Sequence, residues 1–452
     1  MANFFDQAAP ADTAQKRFME LVRKRQNVIA SFPLGYPLAS LYALGSLMGL
    51  GVVVVICASR QAIRQNLDYF RQGDFKFPEV AFLDGSQMPH EERHVRQEVN
   101  RNRVRVLYVT AERFTSLPFL EMLVHARVEC LLIEEADRFL PVTPGHALYR
   151  KLQTDGLNLI GQLPPLVLLT PLLPASQLKV LAESLPLSDC HMMQGLAPDT
   201  PVQLSVYPCF TAHQKFTDLL RQLSGSVRQG QLGKLNAPGS VLIQTAYPAQ
   251  AEKLGASLID HGFENVYITH YKKDVHQQMQ ILEIANTRAQ AIIVNGGAEM
   301  RGWTPAIENK PRLIFWNPPH GLEALCAQVF RQLPSLYHAV TDPRQMKNSL
   351  EVLIYHTKED LDSAIKRIQA NRALDWLIIQ KKVRALKKYR QWVLSDACRI
   401  KTLQAFQQDA TLPVSVFCGL CDYCLTQERG NGRGGENIVQ SWLKRQLKQW
   451  LY

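Results

Sequence analysis

The stretch "NVIASFPLGYPLASLY", residues 27–42, joins an apolar run to a second apolar run through a loop rich in proline and glycine. The first run predicts a buried strand, and the run after the loop predicts a helix. A strand, a loop and a helix in this order outline a phosphate-binding loop, which needs a lysine and a Ser or Thr where the helix begins. Leu38 and Ala39 stand at those places. The stretch therefore predicts an α/β fold without the residues that hold phosphates.

Similar apolar runs recur on both sides of a break at residues 195–204. The runs before the break are "NVIASF", "GVVVVICAS", "RVLYVT", "CLLIEEA" and "LVLLT". Those after it are "GSVLIQT", "NVYITHY", "QAIIVNGG" and "PRLIFWNPP". Fully apolar strands separated by helical patterns indicate parallel sheets that are covered on both faces. The chain is therefore predicted to contain two α/β domains in tandem, residues 1–200 and 201–345.

Composition limits the compartment and the partners. The chain has 452 residues, too many for one ordinary core, and a formal net charge of +11, which favours a polyanionic partner. The uncharged stretch 41–58 is long enough to cross a membrane, but its glycines and its β-branched second half favour a helical turn followed by a buried strand. The N-terminus lacks the pattern of a signal peptide. We therefore expect a cytoplasmic protein that does not bind membranes.

The chain has nine cysteines, and without a secretion signal close cysteine spacing indicates a metal site more often than disulfides. From residue 346 to 428 the pattern becomes helical and basic, and it ends in the sequence "CGLCDYC". The spacing of Cys418, Cys421 and Cys424, with Cys398 upstream, suits a tetrahedral four-thiolate site. Because all four positions are filled by the protein, the ion would be a structural Zn²⁺. The alternative is that these cysteines are close together by chance.

This order of features resembles the helicase core and zinc module of RecQ-family DNA helicases over most of residues 10–425. The most specific segment is "CR…LQAFQQ…CGLCDYC", including Arg399 directly after the first cysteine. Five other stretches are similar to family motifs: "RVLYVTAERF", "LLIEEADRF", "LVLLTPLLPA", "AQAIIVNGGAEMRGW" and "ALCAQVFRQLPS". The resemblance implies two tandem RecA-like domains followed by a helical zinc-binding module, with ATP and Mg²⁺ as cofactors and DNA as partner.

The residues that would hold and cleave ATP depart from the family pattern. Residues 27–42 align with the family's Walker A strand, loop and helix, where Leu38 and Ala39 can neither donate to phosphates nor ligate Mg²⁺. Bulk is added by Tyr36, and Pro37 removes a backbone N–H. Gln15 lies at the distance expected for the glutamine that reads adenine, although the residues around it differ. This loop therefore argues against ATP and Mg²⁺ as cofactors.

The other motifs depart in the same direction. In the acidic box Glu134 replaces an aspartate, Glu135 stands where a water-polarising glutamate would be, and Asp137 replaces a histidine. The Thr-Ala-Thr motif becomes "TPL" at residues 170–172, and the loop "RFLPVTPGHALY" lacks the family's aromatic relay. Gln332 and Ser335 stand where two arginine fingers are expected. Because charges of this kind stabilise phosphoryl transfer, we interpret Glu134 and Glu135 as vestigial.

Two basic stretches could contact DNA. The helical stretch "IIQKKVRALKKYRQWVL", residues 378–394, carries six cations opposite an apolar stripe. The six are Lys381, Lys382, Arg384, Lys387, Lys388 and Arg390. Phosphate contact to single- or double-stranded DNA is the functional interpretation, and a solvated helix face is the alternative. The second stretch, "RHVRQEVNRNRVR" at 93–105, also contains acids and is equally ambiguous.

The last segment, residues 429–452, reads as a Gly-rich linker followed by an amphipathic helix that carries Trp442 and Trp450 on one side. Such a helix docks on its own protein or, through residues 437–452, on a protein partner. The hypothesis favoured for the whole chain is a RecQ-like core that binds DNA without hydrolysing ATP, as a scaffold or regulator in recombination or repair. The alternatives are an active ATP-dependent DNA helicase with atypical motifs and an interaction module that works through the terminal helix.

Overall fold

The computed structural model divides the chain into two compact units, residues 1–198 and 199–452. It describes residues 13–32, 51–60, 62–64, 66–67, 80–140, 146–160, 164–171, 173, 175–185, 189–194, 202–224, 239–288, 290–297, 300, 303, 311–330, 350–372, 374–408 and 418–431. Each unit is built around its own parallel β-sheet. The expected architecture, tandem RecA-like domains followed by a helical segment that contains the four cysteines, is confirmed.

The first unit alternates strands and helices. Its strands are β1 (Asn27–Ser31), β2 (Val52–Cys57), β3 (Val80–Leu83), β4 (Val106–Thr110), β5 (Val128–Ile133), β6 (Leu166–Thr170) and β7 (Cys190–Gln194). Its helices are α1 (Thr13–Arg23), α2 (Pro89–Asn100), α3 (Ala111–Phe114), α4 (Leu117–His125), α5 (His146–Asp155) and α6 (Ala175–Ser184). A 3₁₀ turn, Ala136–Phe139, follows β5.

The first sheet has the strand order β3-β4-β2-β5-β6-β1-β7, and its strands pair in parallel. Successive residues of β2 enter two different cores: Val54 and Ile56 join one cluster, while Val53 and Val55 join the other. Both faces of the sheet are therefore covered, which explains why the strands read as continuous apolar runs rather than alternating ones.

The second unit repeats this plan and then adds helices. Its strands are β8 (Val202–Pro208), β9 (Val241–Thr245), β10 (Val266–His270), β11 (Ile292–Gly296), β12 (Arg312–Phe315) and β13 (Leu350–His356), in the order β10-β11-β9-β12-β13-β8. Its helices are α7 (Ala212–Ser224), α8 (Pro248–Asp260), α9 (Val275–Thr287), α10 (Leu322–Phe330), α11 (Lys358–Ala370), α12 (Trp376–Leu394), α13 (Arg399–Gln408) and α14 (Asp422–Asn431).

The structure corrects the sequence pattern at several places. The helical segment that was expected from residue 346 begins later, because β13 is a buried strand that pairs with β12 and β8. Strands β3, β7 and β8 were not predicted either. In the uncharged stretch 41–58, the predicted strand is present as β2, and residues 41–50 lie outside the described residues. Within the part of the chain that the structure describes, no helix is long and apolar enough to cross a membrane.

A buried ion pair joins α7 to the start of α11 in the second unit. Lys215 donates to Asp360 at 2.7 Å and lies 4.4 Å from the centre of the Trp316 ring. The Lys215 side chain is 3% exposed, and burial lowers its pKa. Nearby, His356 at the end of β13 is 2% exposed, and among the described residues neither of its ring nitrogens has a hydrogen-bond partner. Burial lowers the pKa of His356 to about 4, so this histidine is neutral at pH 7.

Candidate functional site

The carboxyl ends of β1, β6 and β5 lie side by side in the first sheet, where a nucleotide site is expected in this architecture. Ser31 and Thr170 are in register there. The Ser31 hydroxyl donates to the Pro171 carbonyl at 2.9 Å and accepts from the Leu173 N–H at 3.0 Å. Thr170 donates to the same carbonyl at 2.5 Å. Both hydroxyls therefore hold the chain that follows β6.

Glu134, which the sequence resemblance assigns to the Walker B position, follows β5 directly. Its carboxylate accepts a hydrogen bond from the Asn66 amide at 2.9 Å, and its carbonyl accepts one from the Tyr149 hydroxyl at 2.7 Å. The buried Cys57 thiol lies near the Glu134 carboxylate. Burial and the charge of this carboxylate raise the pKa of the thiol. The Glu134 carboxylate is thus engaged by a side chain of its own unit.

Glu135, the residue that matches the water-polarising glutamate, forms an ion pair. Its carboxylate accepts from Arg138 Nε at 2.6 Å, and the two side chains are only 14% and 17% exposed. The backbone of Glu135 is left-handed, with φ of 51°, as it enters the 3₁₀ turn. Arg138 also lies 5.8 Å from the centre of the Tyr149 ring. One oxygen of the Glu135 carboxylate is therefore occupied by Arg138.

Several predicted nucleotide-site residues cannot be placed. Residues 33–50, which include Tyr36, Pro37, Leu38 and Ala39, lie outside the described residues, as do 331–349 with both arginine-finger positions. Gln15 lies in α1, but its side chain is not described. The structure therefore brings Glu134 and Glu135 to the edge of the sheet and leaves the rest of this site as a prediction from the sequence.

Several arginines of the basic stretch 93–105 pair with two glutamates, Glu92 just before the stretch and Glu98 within it. Arg96 pairs with Glu92 at 2.9 Å, and Arg101 and Arg103 pair with Glu98 at 2.9 and 3.1 Å. Arg113, from the segment that resembles a DNA-contacting turn, also pairs with Glu92. Two carboxylates are therefore shared by four arginines, so the positive charge here is partly neutralised within the protein.

The four predicted metal ligands converge. The sulfur atoms of Cys398, Cys418, Cys421 and Cys424 all lie within 4.8 Å of one another. Cys421 Sγ lies 3.4 Å from Cys424 Sγ and 4.0 Å from Cys398 Sγ, and the distance from Cys418 Sγ to Cys424 Sγ is 3.9 Å. Four thiolates about 2.3 Å from a tetrahedral zinc would be about 3.8 Å apart. The cluster therefore fits a metal such as zinc.

Backbone amides support the sulfur atoms. The N–H of Leu420 donates to Cys418 Sγ and the N–H of Arg399 donates to Cys421 Sγ, both at 3.4 Å. The knuckle between Cys418 and Cys421 turns at Gly419, whose φ of 72° favours glycine. Hydrogen bonds among the clustered thiols lower the pKa of Cys421 and raise that of Cys418. Since a thiolate is the form that binds metal, an ion at this site would displace the protons that these sulfur atoms share.

Arg399 is the buried side chain that ties the cluster to its surroundings. It is 4% exposed and donates to the carbonyls of Trp392 and Ser395 at 2.8 and 2.9 Å. It also pairs with Asp422, at the start of α14, at 3.2 Å. Helices α13 and α14 lie against β8, the edge strand of the second sheet. One arginine therefore joins the cysteine-bearing segments to the end of α12.

The predicted basic helix is α12, and its two faces differ as expected. Val383, Leu386, Tyr389 and Val393 are buried, and Ile379 is half-buried. Four of the six predicted cations are exposed, and two, Lys382 and Arg390, are half-buried. The exposed cations are Lys381, Arg384, Lys387 and Lys388. None of these four forms an ion pair with any residue that the structure describes, and Lys388 lies 5.9 Å from the centre of the Phe406 ring.

Sequence reasoning missed the side chains that contact Glu134 and Glu135 in the acidic box. Nothing in the pattern of residues indicated that Asn66 and Arg138 would engage the acidic box, because both contacts depend on tertiary packing. Glu98, within 93–105, did give a signal for two of the ion pairs found there. The helix predicted from the sequence at residues 437–452 lies outside the described residues.

Comparisons with known proteins support the fold. No protein-family model matches the chain, and no curated protein matches it. Among solved structures, the DEAD-box helicase Mss116 bound to ssRNA matches with a TM-score of 0.55 at 11% identity over 93% of this chain and 90% of that one. Dbp5 of S. cerevisiae bound to RNA matches with a TM-score of 0.56 at 14% identity, over 84% and 99% of the two chains.

A third match is the DUF1998 helicase MrfA bound to DNA. Its TM-score is 0.55 at 12% identity, and the match covers 85% of this chain and 56% of that one. At such low identities these matches establish a shared helicase-like fold of two RecA-like domains.

Proposed function

We propose that this protein is a RecQ-like helicase core that binds DNA, holds a structural Zn²⁺ and does not hydrolyse ATP. It acts as a scaffold or regulator in DNA recombination or repair rather than as a motor. Residues 437–452 are its candidate contact with a protein partner. The helicase-like fold is consistent with a nucleic-acid partner, since the matching structures of Mss116, Dbp5 and MrfA carry RNA or DNA.

The observation that carries the proposal is the exposed basic face of α12. The helix has no Asp or Glu in its 19 residues, and its buried face fixes its position in the second unit. Cations that are fixed on a surface and lack acidic neighbours on their own helix attract phosphates, and each phosphate contact releases counterions. Stretch 93–105 carries a similar number of cations but pairs many of them with Glu92 and Glu98.

The loss of hydrolysis is supported by two kinds of observation. The sequence lacks the Walker A lysine and hydroxyl at Leu38 and Ala39, and both arginine fingers. The surviving Glu135 is held in an ion pair with Arg138. Phosphoryl transfer depends almost wholly on such charges, and an arginine finger alone is worth roughly 10³-fold or more in rate.

Binding to DNA across a range of salt concentrations tests the proposal. Replacing Lys381, Arg384, Lys387 and Lys388 together with Gln should weaken binding to every DNA sequence and flatten the salt dependence. The slope of log affinity against log salt should fall by up to about 0.7 to 0.9 for each phosphate that the variant no longer neutralises. The matched control replaces Arg101 and Arg103, which are already paired with Glu98, and should change little.

Two results would contradict the proposal. A wild-type chain without affinity for DNA at low salt would remove nucleic-acid binding altogether. Equal reductions of affinity in the α12 variant and in the control would remove α12 as the contact surface.

A further inference from the structure

Trp376 is exposed where tryptophan is usually buried. Its side chain is 69% exposed, whereas Trp303 and Trp392 are 0% and 5% exposed. The next residue, Leu377, is 54% exposed. Within the part of the chain that the structure describes, Trp376 forms no ring contact with another aromatic side chain or with a cation. A large flat apolar surface is therefore presented to solvent at a defined place.

The start of α12 fixes that place. Asp375 caps the helix by accepting from the Leu377 N–H at 2.7 Å, so that Trp376 is the first helical residue. At about 100° per residue, Trp376 lies about 20° from Lys387 and about 80° from Arg384 around the helix axis, and Arg384 lies nearly opposite the buried Leu386. The exposed cations continue from this indole toward the C-terminal end, over about 18 Å as far as Lys388.

The charges divide this face into two parts. The residue before Trp376 in the chain is the cap, Asp375, which carries a carboxylate, whereas α12 itself carries no acid. Contacts with phosphates are therefore most favoured along the later turns, which carry cations and no carboxylate. An uncharged flat group, such as a nucleobase, suits the position of Trp376.

This arrangement distinguishes an unpaired strand from a duplex. Bases inside a duplex are already stacked on one another and cannot lie on a surface side chain. Unpaired bases stack readily on aromatic side chains while a basic groove follows the backbone. We propose that α12 binds single-stranded nucleic acid, with a base stacked on Trp376 and the backbone phosphates on the exposed cations. The inference rests on the proposed function and adds the class of nucleic acid to it.

The experiment measures binding of the full chain to three ligands with equal numbers of phosphates: an oligothymidylate, an abasic strand and a blunt duplex. Trp376→Ala should weaken binding to the oligothymidylate at least about five-fold, since one stacked base is worth about 1–3 kcal/mol. It should leave binding to the abasic strand and the duplex unchanged. Trp376→Phe should retain most of the affinity. The matched control is Leu159→Ala, because Leu159 is also an exposed apolar residue, at 66%.

Each other outcome is decisive. If Trp376→Ala weakens all three ligands equally, or none, the stacking role is overturned while DNA binding by the cations stands. If the four-cation variant also binds all three ligands normally, the proposed function fails as well.

Discussion

The sequence predicted both the acidic edge of the first sheet, Glu134 and Glu135, and the four-cysteine cluster. The functional side chains of these two sites differ in what they contact. At the acidic edge, Glu134 and Glu135 are held by Asn66 and Arg138, which belong to the same unit. At the cluster, four sulfur atoms converge on one point, and the neighbouring amides donate to them. Side chains that bind one another serve stability, whereas side chains that converge on a common centre serve a ligand.

The largest expected effect is at the cluster. Cys421→Ser should release the metal and unfold the segment that contains α13 and α14, because a structural metal contributes its binding energy to folding. Metal analysis should find one equivalent of zinc in the wild type and none in the variant, and proteolysis should cut the C-terminal segment faster. Cys190→Ser, at a half-buried cysteine of the first unit, should retain the metal. If Cys421→Ser keeps its zinc, the cluster is not the metal site.

The next effect concerns His356, close enough to the cluster that the charge of Arg399 lowers its pKa. Burial is the main cause of the shift to about 4, with Asp360 opposing it and Lys215 and Arg390 adding to it. The unfolded histidine takes up a proton below its ordinary pKa of about 6.5, while the folded one resists until about 4. This residue therefore contributes stability above pH 6.5 that disappears as the pH falls toward 4, by roughly 2–3 kcal/mol.

Denaturant unfolding near neutral pH and near pH 4.5 measures this decrease. In His356→Leu the decrease in the free energy of unfolding should be smaller than in the wild type by that amount. The exposed His213 offers the control: between the two pH values, the free energy of unfolding of His213→Leu should decrease as much as that of the wild type. An identical pH dependence in all three proteins would show that His356 is not buried in its neutral form.

A smaller effect is expected at the acidic edge. Glu135→Ala should lower the free energy of unfolding by about 1–3 kcal/mol, because it leaves a largely buried Arg138 without its partner. Removing a working catalytic carboxylate often raises the free energy of unfolding instead, since it relieves strain in an active site. Glu121→Ala, at an exposed carboxylate, should have little effect. A variant Glu135→Ala that is more stable than the wild type would contradict a structural role.

The sequence predicted the two sheets because fully buried strands leave continuous apolar runs, as in β2. It missed β13, because this strand contains Glu351, ends at His356 and is followed directly by a helical pattern. The cysteine spacing predicted the metal ligands, since a knuckle brings nearby sulfurs together. It could not predict that Arg138 would hold Glu135, or that Trp376 would remain exposed. Those features depend on how side chains pack in three dimensions.

The central claim is that the helicase-like scaffold persists without ATP hydrolysis. Release of phosphate from ATP by the purified chain, with and without single-stranded DNA, tests it most directly. The account predicts no release above the background under either condition, and no difference between the wild type and Glu135→Gln. Release that DNA stimulates and that Glu135→Gln abolishes would contradict the claim and identify a DNA-stimulated ATPase with atypical motifs.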